Sequence, residues 1–202
     1  MGLIDRAKNI IMQPKQEWAV IDTEPATVGG LYTGYIIPLS LVPVIASAAG
    51  LMLFGYSVPF LGKVTMPMGT VLGSAAVQFV GGLIGIYIIA LVIDALAPSF
   101  SGTKNSIQAM KVAAYSYTAS WVFGILAIVP GLRIIGGLLG LYSLYLLFTG
   151  LPPLMKSPPD KAFGYTAVTV IVAIIVYICI GLLIGALGFG MSAATAGLPH
   201  TP

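Results

Sequence analysis

Of the chain's 202 residues, 58% are apolar and only 7% carry a charge, against roughly 25% charged in soluble globular domains. The net charge of +3 is spread thinly over nine Lys and Arg and six Asp and Glu, with a single histidine and a single cysteine. That composition excludes soluble enzymes, nucleic-acid binders and secreted disulfide scaffolds. About three quarters of the chain falls into five charge-free stretches, 25–62, 64–93, 112–132, 134–155 and 162–199. A spanning helix needs about 20 apolar residues, and none of the stretches holds two spans with a turn. The sequence therefore predicts an all-α polytopic membrane protein, five transmembrane helices preceded by a short amphipathic helix.

In chain order, residues 1–30 form a polar head. Leu3, Ile4, Ala7, Ile10 and Ile11 recur at helical spacing opposite Asp5, Arg6, Lys8 and Asn9, and Pro14 ends the pattern. Next to a membrane this helix is expected either at the interface or packed on the protein's own loops. Trp18 fits an interfacial anchor. No secretory leader is expected, because the first apolar run starts near Leu31 and acids precede it.

The predicted spans are 31–54, 70–96, 112–129, 134–151 and 166–189, which together make a transmembrane domain over 31–189. The links after the first two spans, 55–68 and 97–110, read as irregular. Pro130-Gly131-Leu132-Arg133 reads as a tight turn that makes a hairpin of the third and fourth spans. Four prolines between 152 and 161 exclude a continuous helix across that link. The tail 190–202 is expected to be disordered.

Seven cations (Arg6, Lys8, Lys15, Lys104, Lys111, Lys156, Lys161) fall on the side of the N-terminus, and two (Lys63, Arg133) on the other. The positive-inside rule then predicts a cytoplasmic N-terminus and, with five spans, a C-terminus outside.

Chemistry-bearing constellations are scarce. The only histidine, His200, lies near the chain's end, so no Ser–His or Cys–His pair forms. One His, one Cys and acids confined to loops do not make a metal site. No catalytic residue, cofactor or metal is expected. Five G-x-x-x-G pairs occur, at Gly30/Gly34, Gly69/Gly73, Gly81/Gly85, Gly136/Gly140 and Gly181/Gly185. They favour close helix packing within the chain, with a homodimer seam as the alternative. Cys179 reads as a small residue facing lipid or a neighbouring helix.

The candidate functional residues are Asp94, Lys111, Tyr115, Tyr142, Tyr145, Asp160 and Lys161. Asp94 is expected to pair with Lys111 or Lys161, and Tyr115 lies one turn from Lys111. Together with Lys156, Asp160 and the amphipathic head they would form one polar cytoplasmic surface for lipid headgroups or a protein partner. Tyr142 and Tyr145 lie too deep for an aromatic belt and need hydrogen-bond partners. Ser143, Ser116, Tyr117, Thr118 and Gln78 are available, as interhelical glue or as the lining of a polar path.

Several runs resemble the bacterial branch of the Yip (Ypt/Rab-interacting protein) family. They are Ala114-Tyr115-Ser116-Tyr117-Thr118-Ala119-Ser120-Trp121, Leu141-Tyr142-Ser143-Leu144-Tyr145-Leu146-Leu147 and Gly150-Leu151-Pro152. In the head, Lys8-Asn9-Ile10-Ile11, Pro14-Lys15, Glu17-Trp18 and Ile21 are similar, as is Asp160-Lys161-Ala162 before the last span. The resemblance covers 5–185 and departs at Ala119, where the family usually has a proline that kinks the third span. It implies five spans, a cytoplasmic N-terminus and a place in the bacterial cytoplasmic membrane. Eukaryotic relatives bind Rab GTPases in vesicle trafficking, a cycle bacteria lack. The function expected is therefore non-enzymatic, in membrane organisation or partner binding at the cytoplasmic face. A small transporter or channel with a polar path among spans 3 and 4 is the alternative.

Overall fold

The computed structural model describes residues 1–58, 62–64 and 67–196. Two head helices come first, α1 (Leu3–Met12) and α2 (Pro14–Thr23). One residue explains both ends of the junction. Pro14 cannot donate to the end of α1, yet its fixed φ suits the first position of a new helix. The stop at Pro14 is as expected; the second helix is not signalled by an apolar periodicity in residues 14–23.

Thr27 caps α3 (Val28–Leu31) by accepting from the Gly30 amide at 3.1 Å. A π-helical turn, Tyr32–Ile36, joins α3 to α4 (Ile37–Phe54). Pro38 lies just beyond it, and its ring and missing N–H disfavour regular α-helical bonding to the turn before. Gly55 stops α4 at φ 69°, a conformation that favours glycine. The link read as irregular contains a short antiparallel hairpin, β1 (Tyr56–Val58) with β2 (Gly62–Val64). α5 (Met68–Leu96) follows, about 43 Å long at 1.5 Å per residue. Past a 3-10 turn at Ala97–Phe100, Asn105 caps α6 (Ser106–Ser116).

The expected third span is where the structure departs most from the sequence reading. The segment is helical but broken. α6 stops at Ser116, α7 (Thr118–Phe123) restarts after Tyr117, and residues Gly124–Ile128 are 3-10. It still runs from the head helices, where Gln108 and Lys111 bond α2, to the far end. There the Ala127 and Ile128 carbonyls approach Gly50. The Thr118 hydroxyl bonds the Tyr115 carbonyl at 2.6 Å and the Tyr35 hydroxyl at 2.7 Å. Such back-bonding bends helices without proline, so the interruption arises despite Ala119.

Pro130–Leu132 makes the expected turn into α8 (Arg133–Gly140) and α9 (Tyr142–Met155). α9 carries Pro152 and Pro153 in its last turn and ends at Lys156, φ 54°. After a 3-10 turn at Pro159–Lys161, α10 runs Ala162–Ala196. It therefore continues seven residues into the tail expected to be disordered, through the good helix formers Met191, Ala193 and Ala194; residues 197–202 lie outside the described ones.

Four helices are long and apolar enough to cross a membrane among the described residues: Val28–Phe54, Met68–Phe100, Pro130–Met155 and Pro159–Cys179. The broken third segment is not among them. α6 packs against α5 and α9, and α10 covers both of those. The core gathers at the head end, where Trp18, Ile21, Met110, Leu151, Leu154 and Met155 are fully buried. The opposite end, rich in glycine and serine, is open.

Candidate functional site

The largest concentration of buried polar chemistry lies where the head docks on the bundle. The last carbonyls of any α-helix lack partners within it, and side chains from the bundle supply them for both head helices. The Tyr142 hydroxyl donates to the Ile11 carbonyl of α1 at 3.0 Å. Lys111 Nζ donates to the Ile21 and Glu24 carbonyls at the end of α2, at 2.8 and 2.5 Å. A cation there also suits the negative end of the helix dipole. Gln108 Nε2 donates to Asp22 O and Oδ1, both at 3.0 Å, and Lys156 pairs with Asp22 Oδ2 at 2.6 Å.

Beneath these caps, Arg6 reaches inward from α1 and pairs with Glu17 and Glu24. Its guanidinium lies over the Tyr115 ring, 5.7 Å from the centroid. Arg6 and Glu17 are 6% and 5% exposed, so each satisfies a charge that burial alone would forbid. Burial works against the Arg6 charge, but Glu24 and Glu17 outweigh it and hold its pKa above the ordinary value. Lys111 goes the other way. Burial pushes it below the usual lysine range, with Asp22 and Glu24 only partly opposing.

Trp18 is not an interfacial anchor. It is 1% exposed and sits edge-on to Tyr115, centroids 6.3 Å apart, while its indole N–H donates to Thr149 Oγ1 at 3.2 Å. Its ring packs so close to Gly150 that an added Cβ there would come within 2.6 Å of it. Tyr35 completes the cluster, 4.6 Å from Tyr115.

The structure thus divides the sequence candidates. Lys111, Tyr115 and Tyr142 meet at the docked head. Tyr145 only leans on the Tyr142 ring, 5.3 Å away, and is otherwise exposed. Asp94 is elsewhere, accepting from Ser106 Oγ at 3.4 Å, and makes no ion pair with Lys111 or Lys161. Lys161 donates instead to Ser101 Oγ at 2.7 Å, and Asp160 is exposed beside it. The expected single surface is therefore two separate places. Of the hydroxyls named as partners for Tyr142, none serves; Ser143 bonds Ser120 instead, at 2.9 Å. Arg6, Glu17, Glu24, Tyr35 and Gln108 were missed as site residues. Paired charges of opposite sign within one short head were the signal available.

Glu17-Trp18, Tyr115, Tyr142 and Gly150 come from four separate runs of the chain and meet at this one interface. The Yip1 domain matches residues 8–195. The chain belongs to the Yip1 family. Among curated proteins it is similar to the inner membrane protein YohC of Escherichia coli K12 and of strain O6:H1. Identity to each is 23% over 172 residues, covering 83% of this chain and 87% of the relative. No solved structure matches. The long apolar helices and this likeness agree on a multi-pass Yip1 protein of the inner membrane, and several of the residues that carried the resemblance, Glu17, Trp18, Tyr115, Tyr142 and Gly150, meet where its head docks.

Proposed function

We propose that this Yip1 protein is a non-enzymatic organiser of the bacterial inner membrane, with its head at the cytoplasmic face, five passes including the broken third, and its C-terminus outside. The observation that carries the reading is an uneven apolar belt. On α5 the exposed hydrophobics run from Met68 to Leu91, about 35 Å at 1.5 Å per residue, enough to cross the whole bilayer core. On the α8–α9 face they run from Ile134 to Phe148, about 21 Å. The head, with Lys8, Gln13, Lys15 and Gln16 exposed, stands beside the remainder of that face, tied to Thr149 through Trp18 and reaching back to Tyr142.

Charged residues do not enter hydrocarbon cheaply, so lipid beside α8–α9 thins or tilts to meet the shorter belt. Ile4 and Met12 of α1 are 80% and 70% exposed, next to Lys8. That composition suits the headgroup boundary. A rigidly docked wedge on one side of the bundle biases the leaflet that contains it.

The test is reconstitution into vesicles of graded size. Intact protein is expected to concentrate in the small, highly curved ones, and Arg6→Met, which loosens the head, to distribute evenly. Equal distribution of both proteins would refute the reading. A transport role is the second reading, favoured by helix interruptions at Tyr117 and Leu141 that meet through the Ser120–Ser143 contact. Solute flux in liposomes, lost on Ser120→Leu, would replace the first reading with it.

A further inference from the structure

At the end of the bundle opposite the head, α4, α5, α7 and α8 stand apart around an open chamber of about 830 Å³. That volume is in the range of ligand pockets. Its walls are mostly apolar. Ser47 and Ser74 line it, but each hydroxyl already donates to its own helix, to the Val44 carbonyl at 3.0 Å and the Val71 carbonyl at 2.8 Å. Gln78 and Ser120 line it too, Ser120 already bonded to the Gly140 carbonyl at 3.1 Å, so these neutral groups soften the wall and supply no charge. One charged residue lines the chamber, Arg133 at the start of α8, exposed and without an ion pair among the described residues.

A cation at the mouth, apolar depth behind it and no acid in the lining describe a receptor for an anion with an apolar body. Arg133 begins a helix that then descends into the apolar belt, which puts its guanidinium at headgroup level. We propose that the chamber binds an anionic phospholipid of the leaflet at this end, its phosphate on Arg133 and an acyl chain laid between α5 and α8.

The glycines say where that chain lies. Gly136 is closed, since an added Cβ would meet the Phe123 carbonyl at 2.9 Å. Its neighbour Gly137 lines the chamber, as does Gly73 opposite, and neither would meet any atom within 4 Å. Both present bare backbone to open space, a floor and a wall for a flexible chain. Substitution at either fills the chamber without displacing protein.

The experiment measures lipid binding to the full-length detergent-solubilised protein by native mass spectrometry. Phosphatidylglycerol and phosphatidylcholine of the same acyl composition are the probes. The intact chain is expected to bind phosphatidylglycerol about tenfold more tightly, because phosphatidylcholine carries the same phosphate but its own choline cation offsets the attraction to Arg133. Arg133→Gln should bind the two lipids equally. Gly73→Leu and Gly137→Leu should lose both lipids while melting at the temperature of the parent. No preference in the intact chain, a preference surviving Arg133→Gln, or undiminished binding in both leucine variants would each overturn the proposal. Excess inorganic phosphate should leave the bound lipid in place; displacement by phosphate would reassign the site to a soluble anion and equally overturn the lipid assignment.

Discussion

Arg6 shows how a charge in a membrane protein's head is read wrongly from position alone. On a helical wheel it belongs to the polar face of α1, yet it points inward, between Glu17 and Glu24 and over Tyr115. Removing it leaves Glu17 buried without its cation, which costs about 3–5 kcal/mol for a buried pair. Arg6→Met is therefore expected to undock the head, exposing Lys8 and Lys15 to trypsin in conditions where the parent resists. Unchanged digestion would mean that the triad does not hold the head. Tyr142→Phe removes one hydrogen bond, to the Ile11 carbonyl. An expected loss of about 1 kcal/mol, measured by thermal unfolding in detergent, marks this tyrosine as a clasp for α1. A collapse of several kcal/mol would require a larger role.

Between elements, glycine and the helix breaks decide how the third segment fits. Of the five G-x-x-x-G pairs, Gly136/Gly140 has both members against a neighbour, the Phe123 carbonyl and the Ser120 side chain. Gly34, Gly69 and Gly73 look onto open space. Gly136→Leu is expected to lower the melting temperature by forcing α7 and α8 apart, an overpacking cost of about 1–3 kcal/mol or more. Gly137→Leu is expected to leave it unchanged. Identical shifts in both would contradict the packing of this hairpin. The break at Tyr117 gives a second expectation. Ala119 falls in the first turn of α7, where proline is tolerated. Ala119→Pro should cost well under the roughly 3 kcal/mol of an interior helix position, again by thermal unfolding. A full interior cost would show that α6 and α7 behave as one helix.

Over the whole molecule, the seven-to-two distribution of cations gives the orientation its test. Alkaline phosphatase fused after Met191 is expected to be active and a fusion after Lys104 inactive; the reverse would invert the protein. Charge-free stretches determined the membrane class and placed four of the long helices, because the cost of a charge in hydrocarbon is paid residue by residue and needs no partner. The turn at Pro130-Gly131 and the stop at Pro14 were local for the same reason: proline acts on its own backbone. Tertiary structure alone decided the rest. Trp18 is equally suited to a membrane interface and to a protein core, and Gly150, 132 residues away, chose the core. Thr118 broke the third segment by bonding both Tyr115 and Tyr35, and Tyr142 found its acceptor on α1 rather than among its neighbours. A hydrogen bond or a close approach needs two partners, and which two segments meet is a property of the folded chain.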